Sequence, residues 1–426
     1  MKTTNLRWVV VGLVAIATVI NYIDRNALAV MWPGISEELG MDKNDYALIL
    51  TFFMVGYAIG QSLFGKVFDM IGTRLGFVLA IVVWSVSIML HATVRSVGGL
   101  GAARFGLAVG EAGNWPGATK SNAEWFPIRE RALAQGIFNT GASLGAVISA
   151  PTVALLYVQL GWKGAFIAVG LLGFVWLVPW LMVYKAPPES HPWLSAEERD
   201  YILTGQRTER GAADEAAAPG WLEMLRYRQS WSVIGSRFFL DPVWWLFVSW
   251  LPIYLADRFG FDIQQIGLFA WVPYVGAALG ALFGGWLAGA LLRKGWSVNG
   301  ARKLTITLGG ALMLPTLVAT AYAATPLAAV LMIAVILFGF QLAIGNIQTL
   351  PSDFFSGKSV GSLAGVGGTA AIVGVLITTW IVPAITTESY VPFFVLGALL
   401  VPLAVLSVWG FGGRIEPVKA KTSTNS

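Results

Sequence analysis

The stretch Asn21-Tyr22-Ile23-Asp24-Arg25-Asn26 lies between two apolar runs, 8–20 and 27–31. Together these residues form one predicted helix long enough to cross a bilayer, which takes about 20 residues. Asp24 and Arg25 therefore fall inside the predicted membrane span. On insertion scales, each such charge costs about 2.5–3.5 kcal/mol at the centre of a membrane helix. A helix that keeps both charges indicates a membrane protein that uses them on a charged ligand.

The composition also indicates a membrane protein. Hydrophobic residues make up 56% of the chain and charged residues 12%, whereas soluble domains are about 25% charged. Cysteine is absent, which excludes disulfides and thiolate metal sites. Lys2 and Arg7 precede the first apolar run, as in a signal peptide, but no small-residue cleavage site follows. We therefore expect an uncleaved first helix.

Twelve apolar spans follow one another, six on each side of a polar stretch. The spans cover approximately residues 8–31, 46–68, 75–94, 98–119, 132–158, 163–184, 231–256, 264–291, 303–323, 326–349, 360–383 and 391–412. The two groups are 177 and 182 residues long, and such near-equality is typical of transporters built from two repeats with a ligand site near the membrane midplane. The sequence therefore predicts an all-α integral membrane protein with twelve transmembrane helices in two pseudo-symmetric six-helix bundles.

This organisation divides the chain into four predicted segments. They are the N-terminal bundle 1–184, a cytoplasmic linker 185–230, the C-terminal bundle 231–412 and a cytoplasmic tail 413–426. Within the linker, Ser195-Ala-Glu-Glu198 has the pattern of a capping box and predicts a surface helix that extends to about Arg207. The small and polar residues of 211–220 predict a flexible connection.

Lysine and arginine predict the orientation in the membrane. With the N-terminus inside, the predicted inside segments carry 22 of the 28 basic residues and the outside segments carry four. Arg25 and Arg104 remain within spans. Because basic residues accumulate on the cytoplasmic side, we expect a multi-pass protein of the bacterial inner (plasma) membrane with both termini cytoplasmic. The same distribution accounts for the net charge of +5 without a nucleic-acid partner.

Four ionisable residues lie within otherwise apolar spans, namely Asp24, Arg25, Arg104 and Glu111. Arg104 and Glu111 are two helical turns apart and are predicted to share a helix face with Asn114. In the first helix, Asp24 points about 100° away from Arg25, so neither need be the main partner of the other. The alternative that these charges only tie helices together as buried ion pairs stays open, above all for Arg104.

Other polar and aromatic side chains in the spans extend the set of candidate ligand-binding residues. In the first half, the candidates beside Arg25, Arg104 and Asn114 are Tyr22, Asn26, Tyr57 and Gln61. The second half carries almost no charge, and its candidates are Trp244, Trp271, Tyr274, Gln341, Asn346 and Thr369. This division suits an amphipathic ligand whose charge is bound by the first half and whose hydroxyls and ring face are bound by the second. Tryptophans also serve as anchors at the membrane interface, which is the alternative for the aromatic candidates.

Several motif matches are better explained by helix packing. Gly141-Ala-Ser-Leu-Gly145 matches the nucleophile elbow of hydrolases, but it lies in an apolar helix and not after a strand. Small residues that let helices approach closely explain it better, and also explain Gly56-xxx-Gly60 and Gly285-xxx-Gly289. Two histidines without cysteine indicate no metal site. We therefore expect no enzymatic activity and no cofactor other than protons as a coupling ion.

The loop between the second and third spans is more specific. Its sequence, Gly65-Lys-Val-Phe-Asp69-Met-Ile-Gly72-Thr-Arg74, resembles the G-x-x-x-D-x-x-G-x-R signature of the major facilitator superfamily. Gly65 and Gly72 are predicted to allow a tight cytoplasmic turn, and Asp69 to pair with a basic residue or a helix N-terminus in one conformation only. These three residues and Arg74 are therefore candidates for conformational gating. The equivalent loop of the second half has glycine at the aspartate position, so this contact is predicted on one side only.

Within that superfamily, the chain resembles the anion:cation symporter family, and its hexuronate transporters in particular. The matching stretches are 21–26, 104–116, 241–252 and 352–369. The resemblance implies a major facilitator fold and import of a hexuronate, such as galacturonate or glucuronate, together with protons. It also implies that Arg25 binds the substrate carboxylate, that Asp24 and Glu111 carry protons, and that Tyr22 and Tyr57 contact the substrate.

One departure from the family leaves the substrate open. Relatives that take galactonate have asparagine at, or close to, the position of Thr369. The alternatives are therefore a symporter or exchanger of an aldonate such as galactonate, of a tartrate-like dicarboxylate or of an aromatic acid. A membrane sensor that does not translocate its ligand is a further alternative, although the short predicted cytoplasmic loops hold no signalling domain. We expect a monomer in membrane lipid whose partner is a small organic acid.

Overall fold

A computed structural model describes residues 5–210, 221–355 and 358–418, and regular structure in this part of the chain is helical. The α-helices are α1 Leu6–Leu39, α2 Lys43–Leu90, α3 Val97–Glu111, α4 Asn114–Trp125, α5 Ile128–Val183, α6 Ala196–Arg210, α7 Trp221–Met224, α8 Arg228–Phe259, α9 Ile263–Phe269, α10 Val272–Arg293, α11 Val298–Thr320, α12 Pro326–Ile347, α13 Leu350–Phe354, α14 Lys358–Ile385 and α15 Val391–Gly412. The predicted fold class, all-α, is confirmed.

Ten helical segments among the described residues are long and apolar enough to cross a membrane. Two of the predicted spans lie in one of them, Gly136–Val183, because the chain continues through a break at Gly161, where φ is 67°. A third predicted span, 98–119, is absent from the ten because the chain divides it into α3 and α4, of 15 and 12 residues. These two differences reconcile the ten segments with twelve predicted spans.

The chain divides into two compact units. Unit 1 comprises Met1–Ala213 and Leu251–Trp271, and unit 2 comprises Asp214–Trp250 and Val272–Ser426. The division thus falls inside α8, since Trp250 and Leu251 belong to different units. The four segments predicted from the sequence are defined by where the spans begin and end along the chain, and not by contacts between helices. Their boundaries stay a prediction.

Small residues bring the helices of unit 1 close together. A methyl group at Gly145 of α5 would lie 2.8 Å from the backbone oxygen of Val19 in α1. A methyl group at Gly60 of α2 would lie 2.7 Å from the backbone oxygen of Val109 in α3. The packing interpretation of both glycine pairs, Gly141 with Gly145 and Gly56 with Gly60, is confirmed. These approaches hold α1, α2, α3 and α5 near enough for short polar side chains to bridge them.

The same interpretation is wrong for Gly285 and Gly289 of α10. A methyl group at Gly285 would meet no atom within 4 Å, and one at Gly289 would meet only the flexible end of Arg293. The close approach of α10 to α12 instead lies earlier in the helix, where a methyl group at Gly280 would overlap the backbone oxygen of Phe338. Two glycines four residues apart indicate close packing only when the helix face that carries them meets another backbone.

The predicted surface helix is present as α6, but its capping differs from the expectation. The amide of Glu198 donates to Ser195 Oγ at 3.2 Å, which is one half of the predicted capping box. The carboxylate of Glu198 binds α1 instead, where it accepts from the backbone amide of Leu6 at 3.0 Å and from Arg7 Nη1 at 2.8 Å. A carboxylate at a helix N-terminus is favourable because it satisfies free amides and opposes the helix dipole. The linker helix is therefore attached to the start of the first membrane helix.

One basic residue lies near the start of a predicted span. The count of inside basic residues includes Arg237, although it falls within the predicted span 231–256, and it lies nine residues after Arg228 in the membrane-length helix Arg228–Phe259. It pairs there with Asp241. The expectation that the spans of the second half carry almost no charge therefore has an exception in this pair, which lies within the predicted span 231–256.

Gly280→Ala and Gly285→Ala form a matched test of the packing in α10. We expect Gly280→Ala to lower the free energy of unfolding by about 1–3 kcal/mol, because overpacking forces backbone shifts. Gly285→Ala, in the same helix and with open space around it, should leave stability unchanged or raise it slightly. Thermal unfolding of both proteins purified in detergent measures the difference. Equal midpoints for the two variants would contradict the helix contact.

Candidate functional site

Arg25 of α1 and Glu111 at the end of α3 form an ion pair, with 3.0 Å between Nε and Oε2. The side chain of Arg25 is 7% exposed and that of Glu111 is fully buried. Asn21 lies one turn before Arg25. Its Oδ1 accepts from Arg25 Nη2 at 3.2 Å, and its Nδ2 donates to the backbone oxygen of Glu111 at 3.4 Å. These contacts join α1 to α3 through groups that water scarcely reaches.

Aromatic rings surround the guanidinium of Arg25. The centroids of Tyr57, Tyr22 and Phe53 lie 5.0, 5.1 and 5.6 Å from its central carbon. A cation over an aromatic face is attracted by the ring quadrupole, more strongly where water is excluded. Tyr22 and Tyr57 are half-buried, whereas Phe53 is buried, so the two tyrosines are the more exposed part of this aromatic wall.

Arg104 and Asp24 lie beside this pair. Arg104 Nη2 donates to the backbone oxygen of Arg25, and its guanidinium lies 4.8 Å from the ring centroid of Phe53. Asp24 is fully buried, and neither of its carboxyl oxygens has a hydrogen-bond partner among the described residues. The charges that act on it are those of Glu111 and Arg104. An ionised Asp24 would therefore lack the hydrogen bonds that normally compensate a buried charge.

Several buried polar atoms of this cluster have no hydrogen-bond partner among the described residues. Glu111 Oε1 and the Nε and Nη1 atoms of Arg104 are buried and, among the described residues, have no hydrogen-bond partner. Most buried polar groups in proteins are paired, and an exception needs an explanation. In this cluster, the spare acceptors and donors are suited to hold a proton or an anion.

The neighbouring candidates of unit 1 have partners in other helices. Asn26 Nδ2 donates to Ser149 Oγ at 2.9 Å, and Asn114 Nδ2 donates to Thr18 Oγ1 at 3.0 Å. Asn114 follows the interruption between α3 and α4. Gln61 is exposed on α2, one turn after Tyr57. The structure thus groups Tyr22, Asp24, Arg25, Tyr57, Arg104 and Glu111, and it leaves Asn26, Gln61 and Asn114 at the edge of that group.

Two of the candidates in the second half meet within unit 2. The ring of Trp244 packs on Phe340, with 5.4 Å between centroids, and its edge lies against Tyr274 at 5.9 Å. Gln341 follows Phe340 in α12 and is half-buried. Trp271 is half-buried between α9 and α10, and it belongs to unit 1.

The other two candidates of unit 2 lie apart from the Trp244 rings in their contacts. Asn346 accepts from Arg302 Nη1 at 3.0 Å, and Arg302 pairs with Asp353 at 2.9 Å, so Asn346 supports an ion pair between α11 and α13. Thr369 is exposed on α14, and its hydroxyl donates to the backbone oxygen of Gly365 at 3.2 Å.

The predicted gating residues have unequal roles. Gly72 breaks α2 with φ 77°, a left-handed conformation that favours glycine. Gly65 lies in regular helix, so the expectation that it forms the turn is wrong. Arg74 Nη2 donates to the backbone oxygen of Leu181 at 3.2 Å, which ties the turn to the end of α5. The side chain of Asp69 lies outside the part of the chain that the structure describes.

Sequence reasoning missed three contributors. Asn21 and Phe53 contact the Arg25 guanidinium, and helical spacing offers a signal for both, since each lies one turn before a named candidate, Arg25 or Tyr57. Glu124 accepts from Thr73 Oγ1 at 2.9 Å and from the Tyr184 hydroxyl, beside the break of α2 at Gly72. Burial and the Glu124 carboxylate raise the pKa of Tyr184, which keeps its hydroxyl a donor. No sequence spacing indicates the Glu124 contacts, because they join three separate helices.

Residues 14–371 match the family model of the Major Facilitator Superfamily. The chain belongs to this superfamily. As a superfamily member it is a multi-pass membrane transporter and not an enzyme, and the resemblance noted in the sequence is confirmed.

Two curated relatives and one solved structure illustrate the similarity. This chain is 34% identical over 412 residues to the hexuronate transporter of Escherichia coli K12, and the match covers 96% of this chain and 94% of that one. It is 37% identical over 315 residues to the galacturonate transporter of Dickeya chrysanthemi, covering 74% and 90%. A bacterial homologue of the human lysosomal transporter Spinster, crystallised inward-facing and unoccupied, matches with a TM-score of 0.72 at 18% identity, covering 96% and 95%. This last likeness shows the fold alone.

The ion pair between α1 and α3 leads to a prediction for the free energy of unfolding. Glu111→Leu should lower the free energy of unfolding by about 3–5 kcal/mol, because it leaves the buried Arg25 charge without its carboxylate. The double variant Arg25→Met with Glu111→Leu should recover most of that loss, since an apolar pair of similar volume removes both charges. Thermal unfolding in detergent measures both. If the double variant were less stable than Glu111→Leu, the ion pair would not be the reason for the loss.

Proposed function

We propose that this transporter is a proton-coupled symporter that imports a small sugar-acid anion, a hexuronate such as galacturonate or glucuronate, by alternating access. The observation that carries the proposal is the buried Arg25 guanidinium, which pairs with the buried carboxylate of Glu111 at 3.0 Å. Relatives named for hexuronate and galacturonate transport support the substrate class.

Arg25 is the proposed carboxylate-binding residue. An arginine remains charged in a protein, so the site always offers a cation. Guanidinium and carboxylate match in geometry and form bidentate pairs, which bind more specifically than single hydrogen bonds. The half-buried rings of Tyr22 and Tyr57 border the guanidinium. They give the anion a path to Arg25, and their hydroxyls are available to its oxygens.

Glu111 is the proposed coupling residue. While it is ionised, it occupies Arg25 and competes with the substrate anion. A proton on Glu111 removes that competition and leaves the guanidinium for the substrate carboxylate. The charge of Arg25 is then compensated in two states. In the empty state the ionised Glu111 compensates it, and in the loaded state the substrate anion does so while Glu111 is protonated. Uncompensated charge is costly in the membrane, so reorientation is easiest in these two balanced states, and that restriction couples the two fluxes.

Asp24 is the proposed second proton carrier. Its buried carboxyl group makes no hydrogen bond with a described residue and lies in the field of both Glu111 and Arg104. A change in the protonation of Glu111 therefore changes the electrostatic environment of Asp24. Protons are the proposed coupling ions, with no metal required. Among the described residues, no group of three or more His, Asp or Glu side chains is arranged to hold a metal.

The cellular setting belongs to the same proposal. The transporter acts as a monomer in the lipid of a bacterial inner membrane, with both termini cytoplasmic, as the distribution of basic residues indicates. The competing substrates are aldonates such as galactonate, tartrate-like dicarboxylates and aromatic acids. A sensor that binds without translocation is the remaining alternative, and counterflow of labelled substrate distinguishes it.

Uptake into proteoliposomes under an imposed proton gradient tests the function. We expect galacturonate or glucuronate to accumulate faster than galactonate, tartrate or benzoate. Arg25→Ala should abolish uptake and lower affinity at least about 100-fold, because a buried charged partner of the anion is lost. Arg414→Ala removes an arginine that is 76% exposed and serves as the matched control. Accumulation of only a non-sugar acid, or sugar-acid affinity retained in Arg25→Ala, would refute the proposal.

Glu111→Gln tests coupling separately from binding. Glutamine keeps the size and an oxygen acceptor for Arg25 but does not ionise, so it mimics a permanently protonated glutamate. We expect exchange of labelled for unlabelled substrate to persist while proton-driven accumulation is lost. Glu416→Gln, at a 59% exposed position, is the control. Normal accumulation in Glu111→Gln would exclude Glu111 as the coupling residue.

A further inference from the structure

The turn between α10 and α11 concentrates positive charge in unit 2. Residues 263–352 contain no aspartate or glutamate, and their four basic residues all lie within 293–303. Two of the four have partners inside the unit, since Arg302 pairs with Asp353 and Lys303 donates to the backbone oxygen that follows α15. The other two, at the end of α10, are exposed.

Arg293 and Lys294 are these exposed residues, and neither pairs with a carboxylate among the described residues. Their side chains are not needed to cap α10. The carbonyls of its last turn accept from backbone amides instead, in the bonds from Lys294 to Ala290, Gly295 to Leu292 and Trp296 to Leu291. Gly295, with φ 84°, ends the helix in the left-handed conformation typical of such a C-terminal cap. Helix capping therefore does not explain the two charges.

The same turn lies at the surface of the membrane. One membrane-length segment ends at Arg293, and the next begins at Val298. Trp286 and Trp296 flank the two basic residues along the chain, and both indoles are exposed. Tryptophan concentrates where the hydrocarbon of the membrane meets the lipid headgroups. Arg293 and Lys294 are therefore placed at the level of the lipid phosphates.

An exposed apolar face of α10 leads up to Arg293. Leu282, Phe283 and Trp286 are exposed on this helix. The ring of Phe283 lies against Trp286, with 5.4 Å between centroids, and against Phe338 of α12, at 5.8 Å. These contacts hold the aromatic surface in place. An apolar surface on a membrane-length helix that no other helix covers is suited to lipid acyl chains.

Small residues leave open space between this face and the two charges. A methyl group at Gly285 would meet no atom within 4 Å, and one at Gly289 would lie 3.3 Å from Nη1 of Arg293. The Arg293 guanidinium therefore extends back over Gly289 along α10. Trp286 lies on the same side of the helix, one turn before Gly289 and two turns before Arg293. The cation, the open notch and the indole thus follow one another along one helix face.

Charge indicates what covers this face. A second copy packed through the same face would bring Arg293 and Lys294 of both copies together, and residues 263–352 supply no acid to compensate them. A soluble anion would compensate the charges but leave the apolar face of α10 uncovered. An anionic phospholipid covers both, because it joins a phosphate to acyl chains at the level where the charges lie.

We propose that Arg293 and Lys294 bind the phosphate of an anionic phospholipid such as phosphatidylglycerol, while its acyl chains lie on Phe283 and Trp286. We call these four residues the lipid-phosphate site. The Arg293 guanidinium suits two phosphate oxygens at once, and the Lys294 ammonium adds a compact second cation. Basic residues at the ends of membrane helices attract anionic lipids in this way. The site belongs to unit 2 and is independent of which anion the protein transports.

Lipid titration of the delipidated full chain in detergent tests the site, with native mass spectrometry to count bound lipids. The probes are dioleoylphosphatidylglycerol and dioleoylphosphatidylcholine, which share acyl chains and differ in net charge. We expect one equivalent of phosphatidylglycerol to bind at least about tenfold more tightly than phosphatidylcholine. Arg293→Gln with Lys294→Gln should weaken phosphatidylglycerol binding about 25-fold, since each basic residue near an anionic headgroup contributes about fivefold.

Arg414→Gln with Lys163→Gln is the matched control, because it removes the same charge from exposed positions that pair with Glu416 and Glu38. This control should bind phosphatidylglycerol as tightly as the parent protein. An equal loss in the control would show that net charge alone attracts the lipid, which would overturn the inference. Unchanged binding in the double variant of the lipid-phosphate site would overturn it as well.

Thermal unfolding without lipid should give the same midpoint for the parent protein, the double variant and the control, because the substituted residues are exposed. If the double variant does not fold, Lys294→Gln decides alone, with about fivefold weaker binding expected. Displacement of the lipid by inorganic phosphate would assign the two charges to a soluble anion. A lipid-free dimer that Trp286→Ala dissociates would assign the face to a second copy. Either result overturns the inference.

Discussion

The ion pair between Arg25 and Glu111 is the constraint on which unit 1 depends. Lipid solvates neither charge, so the helices that carry them must approach within the reach of one side chain. Glycines provide that approach, Gly145 where α5 meets α1 and Gly60 where α2 meets α3. The same glycines bring Tyr22 and Tyr57 around the guanidinium. Close helix packing and charge compensation therefore depend on each other, because a separation of the backbones by a few ångströms would leave a charge unpaired.

Local features of the sequence predict the membrane spans and the residues that are unusual within them. Hydropathy depends only on neighbouring residues, and an arginine in an apolar run is visible without coordinates. The choice of partner is not local. Helical geometry shows that Asp24 and Arg25 point apart, but it does not show that Glu111, 86 residues away, completes the pair.

Motifs predict a local conformation but not its tertiary use. Ser195 and Glu198 have the spacing of a capping box, yet the Glu198 carboxylate binds the first amides of α1, a site that only the folded chain brings near. Gly65 and Gly72 belong to one signature, but the backbone leaves the helical region only at Gly72. The spacing of Gly285 and Gly289 resembles that of Gly56 and Gly60, although among the described residues no helix packs closely on the later pair. In each case, the tertiary contacts of the residue determine which of two locally possible roles it has.

Two ion pairs that involve membrane-length helices, Arg25 with Glu111 and Arg237 with Asp241, differ in what a proton does to them. A proton on Glu111 weakens a connection between α1 and α3, so it changes the forces between helices and is suited to drive a conformational step. A proton on Asp241 changes a connection within one helix, and the relative position of helices does not depend on it. The protonation state of the interhelical pair therefore acts on the positions of two helices, whereas that of the intrahelical pair acts only within α8.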